Sequence, residues 1–458
     1  MPGAAEALIS IQFCVSLFVV LAASPTAAFL PGNQHLAAQR PGAPLITCLR
    51  QPSLISHGQS RLTVRMAAAE WVQNEVLPNK IGVLTLNRPK ALNAADKDVT
   101  ESLLQTLDAW ENSRAVKALV LRSTSERAFC SGGDVKAIAV DLKADSASQT
   151  PYIALSNEYR LLCTLNRWSS PALDIPSVAI MDGVTMGFGV GLACNARYRV
   201  FTERTLLAMP ENAIGLFPDI GFAYLTRHHP ALGLYLALTG TRIGANASPS
   251  ADILALGLGT HYVSSDKVAA LVGALETADL TTRSDQVISG ILAEYSQDCP
   301  SASSLDALRP LVTRCFDSTS KLHVKDIVDA LEQEAAGASQ DAAAAACAAL
   351  TAMQMGSPTS LQVTLAHFRE IRSLMEQDKS PALQEVLRTE YRMATRMCQR
   401  PDFCEGVRAR LIDKDNNPVW APATIDGINE ASVAACFAPM SPLAELDTSG
   451  GVKKARVV

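Results

Sequence analysis

An α/β region followed by a mostly helical region is the fold class this chain predicts, and three observations carry it. Apolar runs of strand length, IGVLTL (81 to 86), VKALVL (116 to 121) and SVAIMDG (177 to 183), alternate with helical windows. Glycine-containing turns follow two of those strands and open into helices. Beyond about Gly240 the strand signal fades and long helical windows take over, at 322–336, 341–355 and 360–377. With 458 residues, 48% of them hydrophobic and 19% charged, the chain can bury a large core.

Each element has its own warrant. The first strand stops at NRPKALNA, where Pro89 breaks it into a loop. Asp96 to Trp110 is helical, with Val99, Leu103, Leu107 and Trp110 on one face. The second strand leads into SERAFCSGGD, which opens a helix near Val135, and Ile153 to Asn166 is a further helix. RYRVF (197 to 201) and TLLAM (205 to 209) are short strands flanking a turn at Glu203. The Ala-rich run at 342–349 is helix, and no repeat is visible in the sequence.

Composition removes several function classes. A formal net charge of -5, with no dense Lys/Arg patch, leaves no footprint for nucleic acid. Eleven cysteines at irregular spacings, with no CxxC pair, and only seven scattered histidines fit neither a zinc site nor a disulfide framework. Most of the cysteines are expected as small buried residues. Residues 1–69 form a separate object: no acid stands between Glu6 and Glu70, while Arg40, Arg50, Arg61 and Arg65 lie among Ser, Pro, Ala and Gly. Ala7 to Ala23 serves as an apolar h-region, and SPTAAF supplies small residues before Phe29. A signal-like part (1–28) and an acid-poor part (29–69) together resemble the bipartite leader of plastids reached through the secretory route. The alternatives are an ordinary secretory signal, a mitochondrial presequence and a short membrane anchor. No other run is long enough to span a bilayer, so no membrane is expected in the mature form.

Chemistry concentrates in LLAMPENAIGLFPDIG (206 to 221), whose only charged residues are Glu211 and Asp219. Carboxyl groups among apolar residues lose water, which raises their pKa toward neutrality. The bland alternative is that one acid caps a helix and the other closes a turn. Two glycine turns precede the segment, Phe129 to Asp134 and Gly183 to Gly191, and such turns leave backbone N–H groups free for an anion or oxyanion. A dinucleotide fingerprint in the second turn fails, because Leu192 occupies the third glycine position. Cys130 has no His near it in sequence and is read as a packed small residue rather than a nucleophile.

AFCSGGD, GVTMGFGVGLA and AMPENAIGLFPDIG, in that order, resemble the enoyl-CoA hydratase/isomerase (crotonase) superfamily. The third motif is similar to its 3-hydroxyisobutyryl-CoA hydrolase branch, as are GSPTSLQVTL (356 to 365), LRTEYRMATR (387 to 396) and DFCEGVRARLIDKD (402 to 415). The resemblance runs from about Trp71 to Pro439. It implies a crotonase-like spiral of ββα units at 70–240 and a helical region at 241–440, with 441–458 left as a tail. The superfamily uses that helical region to cover the site or for self-association into homo-oligomers. It also implies an acyl-CoA substrate, with coenzyme A entering as part of that substrate, no metal and no other cofactor.

Carried onto this sequence, the resemblance assigns the oxyanion donors to the N–H groups of Ser131 and Phe188. Losing one such donor typically costs roughly 10²- to 10³-fold in rate. Gly132, Gly133, Asp134 and Gly187 belong to the same two turns and are expected against the substrate. Lys90, Ala91 and Leu92 match the loop that lies against coenzyme A, the alternative being a plain strand-to-helix connection. Glu158, in NEYRLL, matches a further acid near the substrate, the alternative being an exposed helical Glu. Hydratases of the superfamily carry a Glu where this chain has Gly191, so Glu211 lacks that partner and Asp219 replaces it. The resemblance therefore implies that Glu211 attacks the thioester or activates water, and that Asp219 bonds the 3-hydroxyl group. The implied reaction is hydrolysis of 3-hydroxyisobutyryl-CoA in valine catabolism. The rivals are a hydratase or isomerase of the same fold, which Gly191 opposes, and a non-catalytic structural relative, which retention of three acids opposes. One departure stands out: the branch commonly reads MGGG where this chain has Met186-Gly187-Phe188-Gly189. A benzyl side chain must fit there, and a positive φ at Phe188 would be costly.

Overall fold

Strand β2 (Ile81–Leu86) is buried at every position, which its largely apolar sequence anticipates for a strand covered on both faces. The computed structural model describes residues 71–448, apart from 171, 172, 282, 338, 378, 380 and 443. The expectations for residues 1–69 and for 449–458 lie outside the described residues.

Around β2 a six-stranded sheet assembles in the order β1-β2-β3-β5-β7-β10. Its members are β1 (Val72–Val76), β3 (Ala118–Ser123), β5 (Ser177–Met181), β7 (Tyr198–Phe201) and β10 (His261–Tyr262). Only the β1–β2 pair is antiparallel. A second sheet, in the order β4-β6-β8-β9, is made of β4 (Ala128–Cys130), β6 (Val184–Met186), β8 (Leu206–Ala208) and β9 (Ile243–Gly244). The first three of these run parallel. After β1 and β2, which both join the large sheet, three successive turns of the chain, β3/β4, β5/β6 and β7/β8, each lay one strand in the large sheet and the next in the small one before a helix. That is the ββα spiral the resemblance implied.

The helices follow in chain order: α1 (Lys97–Ser113), α2 (Val135–Ala144), α3 (Thr150–Trp168), α4 (Phe188–Cys194), α5 (Phe222–Leu225), α6 (Pro230–Thr239), α7 (Ala251–Ala255), α8 (Val268–Thr277) and α9 (Ser284–Tyr295). Then come α10 (Leu305–Cys315), α11 (Val324–Ala335), α12 (Gln340–Gln354), α13 (Pro358–Glu376), α14 (Leu383–Cys398), α15 (Pro401–Val407) and α16 (Glu430–Phe437).

Strand periodicity sorts the core. Ile81, Val83, Ala118, Val120, Val178, Ile180 and Val200 point to one face of the large sheet and pack with Leu271, Leu275, Ile288 and Leu292 of α8 and α9. Their neighbours Leu84, Leu86, Leu119, Leu121, Ala179, Met181 and Phe201 point to the other face and join the main core with α1 and α3. Asp96 caps α1, its carboxylate accepting the N–H groups of Asp98 and Val99. The helical windows expected after Gly240 are found as α11, α12 and α13, within a residue or two of their predicted ends. Of the nine described cysteines with free thiols, six are buried, as expected of small core residues. No helix among the described residues is long and apolar enough to cross a membrane.

Candidate active site

Three parallel strands of the small sheet end side by side, and each delivers one part of the site. After β4 comes the turn Ser131 to Asp134, after β6 come Gly187 and Phe188, and after β8 come Met209, Pro210 and Glu211. Carboxyl ends of neighbouring parallel strands are where open α/β sheets bind ligands. The two glycine turns touch: a β-carbon built on Gly187 would lie 3.6 Å from Gly132 Cα and 2.8 Å from Oε1 of Glu211. One built on Gly133 would lie 2.7 Å from Oε1 of Glu158. Gly132, Gly133, Gly187, Glu158 and Glu211 are therefore brought together, as the motifs led one to expect.

Gly187 also resolves the question raised by Phe188. Gly187 takes the positive φ, 49°, while Phe188 is the first residue of α4 in ordinary helical conformation. No strain falls on Phe188, and its ring is buried in the core rather than crowding the turn. As the first helical residue its N–H has no intrahelical acceptor, and it has no partner among the described residues.

Ser131 behaves differently, which corrects its assignment as an open oxyanion donor. Its N–H donates to the Leu92 carbonyl at 3.0 Å. The reason is the NRPKALNA loop, whose Asn93 is buried and donates to Ser123, Ala128 and Phe129 while accepting the Arg88 N–H. Pinned this way, the loop lays Leu92, in left-handed conformation, over the glycine turn. Ala91 and Leu92 thus reach the site edge, and Lys90 is exposed on the single turn of 3-10 helix Pro89–Ala91. Asp134 is also corrected. One of its oxygens caps α2 by accepting the Ala137 N–H, and the other pairs with Arg88 at 2.9 Å. Its carboxylate is occupied in holding the loop.

The acids are buried and raised. Glu211 opens the 3-10 helix Glu211–Ile214 with 9% of its surface exposed, and its Oε2 has no hydrogen-bond partner. Burial pushes its pKa well above the usual carboxylate range, and the charge of Asp219 adds to that. Glu158 is 6% exposed on α3, which rules out the exposed-helix alternative, and burial followed by Asp219 raises it as well. Asp219 is partly buried and accepts the Tyr159 hydroxyl at 2.6 Å. Burial, then the nearby Glu390, raise its pKa to about 7, while the Tyr159 bond pulls it back. Cys130 is fully buried, and burial pushes its thiol up to about 12, so it supplies no thiolate.

Residues 81–437 match the family model described as enoyl-CoA hydratase/isomerase. The chain belongs to that family. Among curated relatives it is similar to "3-hydroxyisobutyryl-CoA hydrolase, mitochondrial" of Danio rerio, 38% identical over 80% of this chain and 90% of the relative. It is also similar to "3-hydroxyisobutyryl-CoA hydrolase 1" of Arabidopsis thaliana, 35% identical over 82% of this chain and 93% of the relative. Among solved structures, a carnitinyl-CoA dehydratase from Mycobacterium thermoresistibile matches with a TM-score of 0.70 and 36% identity, over 83% of this chain and 100% of that one. The crotonase-like spiral and its helical extension are thus the family's fold.

Position 191, where the resemblance led one to look for a second acid, is walled off. A β-carbon on Gly191 would stand 2.8 Å from Ile220 Cβ and 3.2 Å from Leu162. A second carboxylate has no room there. Four contributors were not singled out from the sequence: Tyr159, Asn212 and Glu390, which lie inside the quoted motifs, and His367, which lies outside them. Asn212 ties the Glu211 segment to the helical region, donating to Ala237, accepting from Thr364, and offering its carbonyl to the Ser357 N–H. Ser357 in turn donates to Asp402 of α15 at 2.5 Å. The sequence signal for Glu390 exists: it interrupts the buried stripe Leu383, Val386, Leu387, Tyr391, Ala394 of α14.

Proposed function

We propose that this chain hydrolyses a short branched 3-hydroxyacyl-CoA thioester, 3-hydroxyisobutyryl-CoA above all, to 3-hydroxyisobutyrate and coenzyme A, a step of valine catabolism. The observation that carries the reading is the acid set: Glu211 keeps an unpartnered, buried oxygen, while the space of a second water-handling carboxylate at 191 is filled by Ile220 and Leu162. The names of the curated relatives support it.

In this mechanism the carboxylate of Glu211 attacks the thioester carbon, the C–S bond breaks, and coenzyme A leaves as a thiolate that takes up a proton. Water then cleaves the mixed anhydride, returning Glu211 and releasing the hydroxy acid. The Phe188 N–H holds the carbonyl oxygen. Coenzyme A settles against residues 90–92. Asp219 bonds the 3-hydroxyl group, with Tyr159 fixing its carboxyl. Two acids, backbone N–H groups and water account for every step, so the reading includes no metal or other cofactor. Helices α13 to α15 cover the acid segment, and self-association through the remaining helical surface is included in the reading, with sedimentation velocity as its measurement.

Free thiol release from 3-hydroxyisobutyryl-CoA, assayed beside hydration of crotonyl-CoA, tests the function. Hydration without thiol release from any hydroxyacyl-CoA would overturn it in favour of a hydratase, and neither activity from folded protein would favour a structural relative. A single turnover in ¹⁸O-water that leaves label in Glu211 identifies it as the nucleophile, with water attacking the Glu211 carbonyl of the anhydride; label in product alone is the outcome of a general base or of water attack at the acyl carbon. The acid-poor leader supports an organellar enzyme, and we place it in a plastid reached through the secretory route, although the zebrafish relative is named mitochondrial. Imaging a fluorescent fusion of residues 1–69 decides between the two compartments.

A further inference from the structure

Asp219 stands at the head of a strained turn. Ile220 has φ 54° and Gly221 φ 78°, and the Asp219 carbonyl accepts the Phe222 N–H at 2.9 Å. Two successive positive φ values suit glycine or asparagine, and a β-branched residue is a rare occupant of that region. Such strain persists only where the surroundings hold it. Here the hold comes from the helical region: Glu390 of α14 accepts the Gly221 N–H on Oε2 at 2.7 Å. Its Oε1 lies 2.9 Å from Nε2 of His367 on α13, and both side chains are buried. His367 packs its ring edge-on to Phe217, two residues before Asp219, and its Nδ1 has no partner. On the other side of the turn Tyr159 donates to Asp219, and the Tyr159 ring meets Tyr391, the neighbour of Glu390.

Attack by Glu211 uses neither Glu390 nor His367. A buried carboxyl–imidazole pair is also a poor source of plain stability, since desolvation offsets much of its attraction. We propose that the Glu390–His367 pair is the positioning device of Asp219: it fixes the Asp219–Phe222 turn so that the Asp219 carboxyl meets the 3-hydroxyl group, and so sets selectivity for hydroxyacyl thioesters. The proposal rests on the reading of Asp219 given above.

The groups facing Asp219 are Glu158 and Tyr159 from α3, Glu211 from its own segment, Glu390 and Cys398 from α14, and His367 from α13. Among the charged ones Glu390 does most to raise Asp219. Glu390→Gln keeps an oxygen for the Gly221 N–H but removes that charge, so the pH profile for the hydroxyacyl substrate moves toward lower pH. His367→Phe removes the partner that orients Glu390, whereas His367→Gln retains a donor to it.

The test is kcat and KM across pH for 3-hydroxyisobutyryl-CoA and for isobutyryl-CoA, which lacks the hydroxyl. The expected result is that His367→Phe lowers the ratio of the two kcat/KM values at least tenfold, with the isobutyryl-CoA value changed less than threefold. His367→Gln restores most of the ratio, and Glu390→Gln shifts the pH profile. Proportional loss on both substrates, or an unchanged ratio and profile in folded variants, overturns the proposal. Asp219→Asn separates the two layers: if it leaves the ratio intact, the reading of Asp219 falls and the pair's role with it. If it collapses the ratio while the His367 and Glu390 variants do not, only the pair's role falls. Should His367→Phe fail to fold, the near-isosteric Glu390→Gln carries the test.

Discussion

Glu211 and Asp219 share one sixteen-residue segment, from Leu206 to Gly221, yet they are held in opposite ways. Glu211 follows a strand of the small sheet, and one of its oxygens is left without a hydrogen bond. Asp219 is fastened from both sides, by Tyr159 directly and by Glu390 through the turn. The difference matches the tasks proposed for them. A nucleophile needs a free lone pair and loses reactivity with every donor that stabilises its charge. A group that recognises a hydroxyl needs a fixed position instead, because a loose one discriminates poorly.

The sharpest way to break this contrast is Glu211→Gln. Thiol release should fall roughly 10⁴-fold or more, with binding of a substrate analogue by calorimetry little changed. A drop below tenfold would mean that the unpartnered oxygen is not the attacking one. Because burial raises Glu211 and attack needs its ionised form, kcat/KM should decline on acidification from a pH well above the usual carboxylate range.

Asp219→Asn comes next, with about a 10³-fold loss on 3-hydroxyisobutyryl-CoA and a much smaller one on isobutyryl-CoA. Equal losses on both would make Asp219 part of the attack machinery. Tyr159→Phe removes one bond, so about a tenfold loss confined to the hydroxyacyl substrate is expected, read from the same pair of assays.

Gly191→Ala tests the wall behind the acids. Overpacking against Ile220 should cost about 1–3 kcal/mol in urea unfolding, and an unchanged midpoint would show that the site has room for a side chain. A last effect is on stability against pH. Asp219 is raised from 3.8 to about 7 on folding, so its folded form holds the proton more tightly. The stability this contributes is fully present below pH 3.8 and is lost as pH rises through about 7. Asp219→Asn should flatten that decline, measured as unfolding midpoints between those limits.

How much of this was legible depended on length and periodicity. β2, β3 and β5 announced themselves because strands covered on both faces are mostly apolar. The small sheet did not: β4 and β6 have three residues each, too few for a period, and they read as the approach to glycine turns. Glu158, Glu211 and the glycines came from motifs, and the structure gathers them. Ser131 could not be settled in the same way, since whether its N–H is open depends on where Leu92 folds back.

By itself the sequence determined the alternation of strands and helices and the isolation of Glu211 and Asp219 among apolar residues. These are local properties, set by residue type and spacing along the chain. Only the tertiary structure decided that Gly187 rather than Phe188 takes the positive φ, that Asp134 is a cap, and that Glu390 and His367 reach the Asp219 turn from helices about 150 to 170 residues away. A donor is open or closed, and an acid free or held, according to what packs against it, and those partners are distant in sequence.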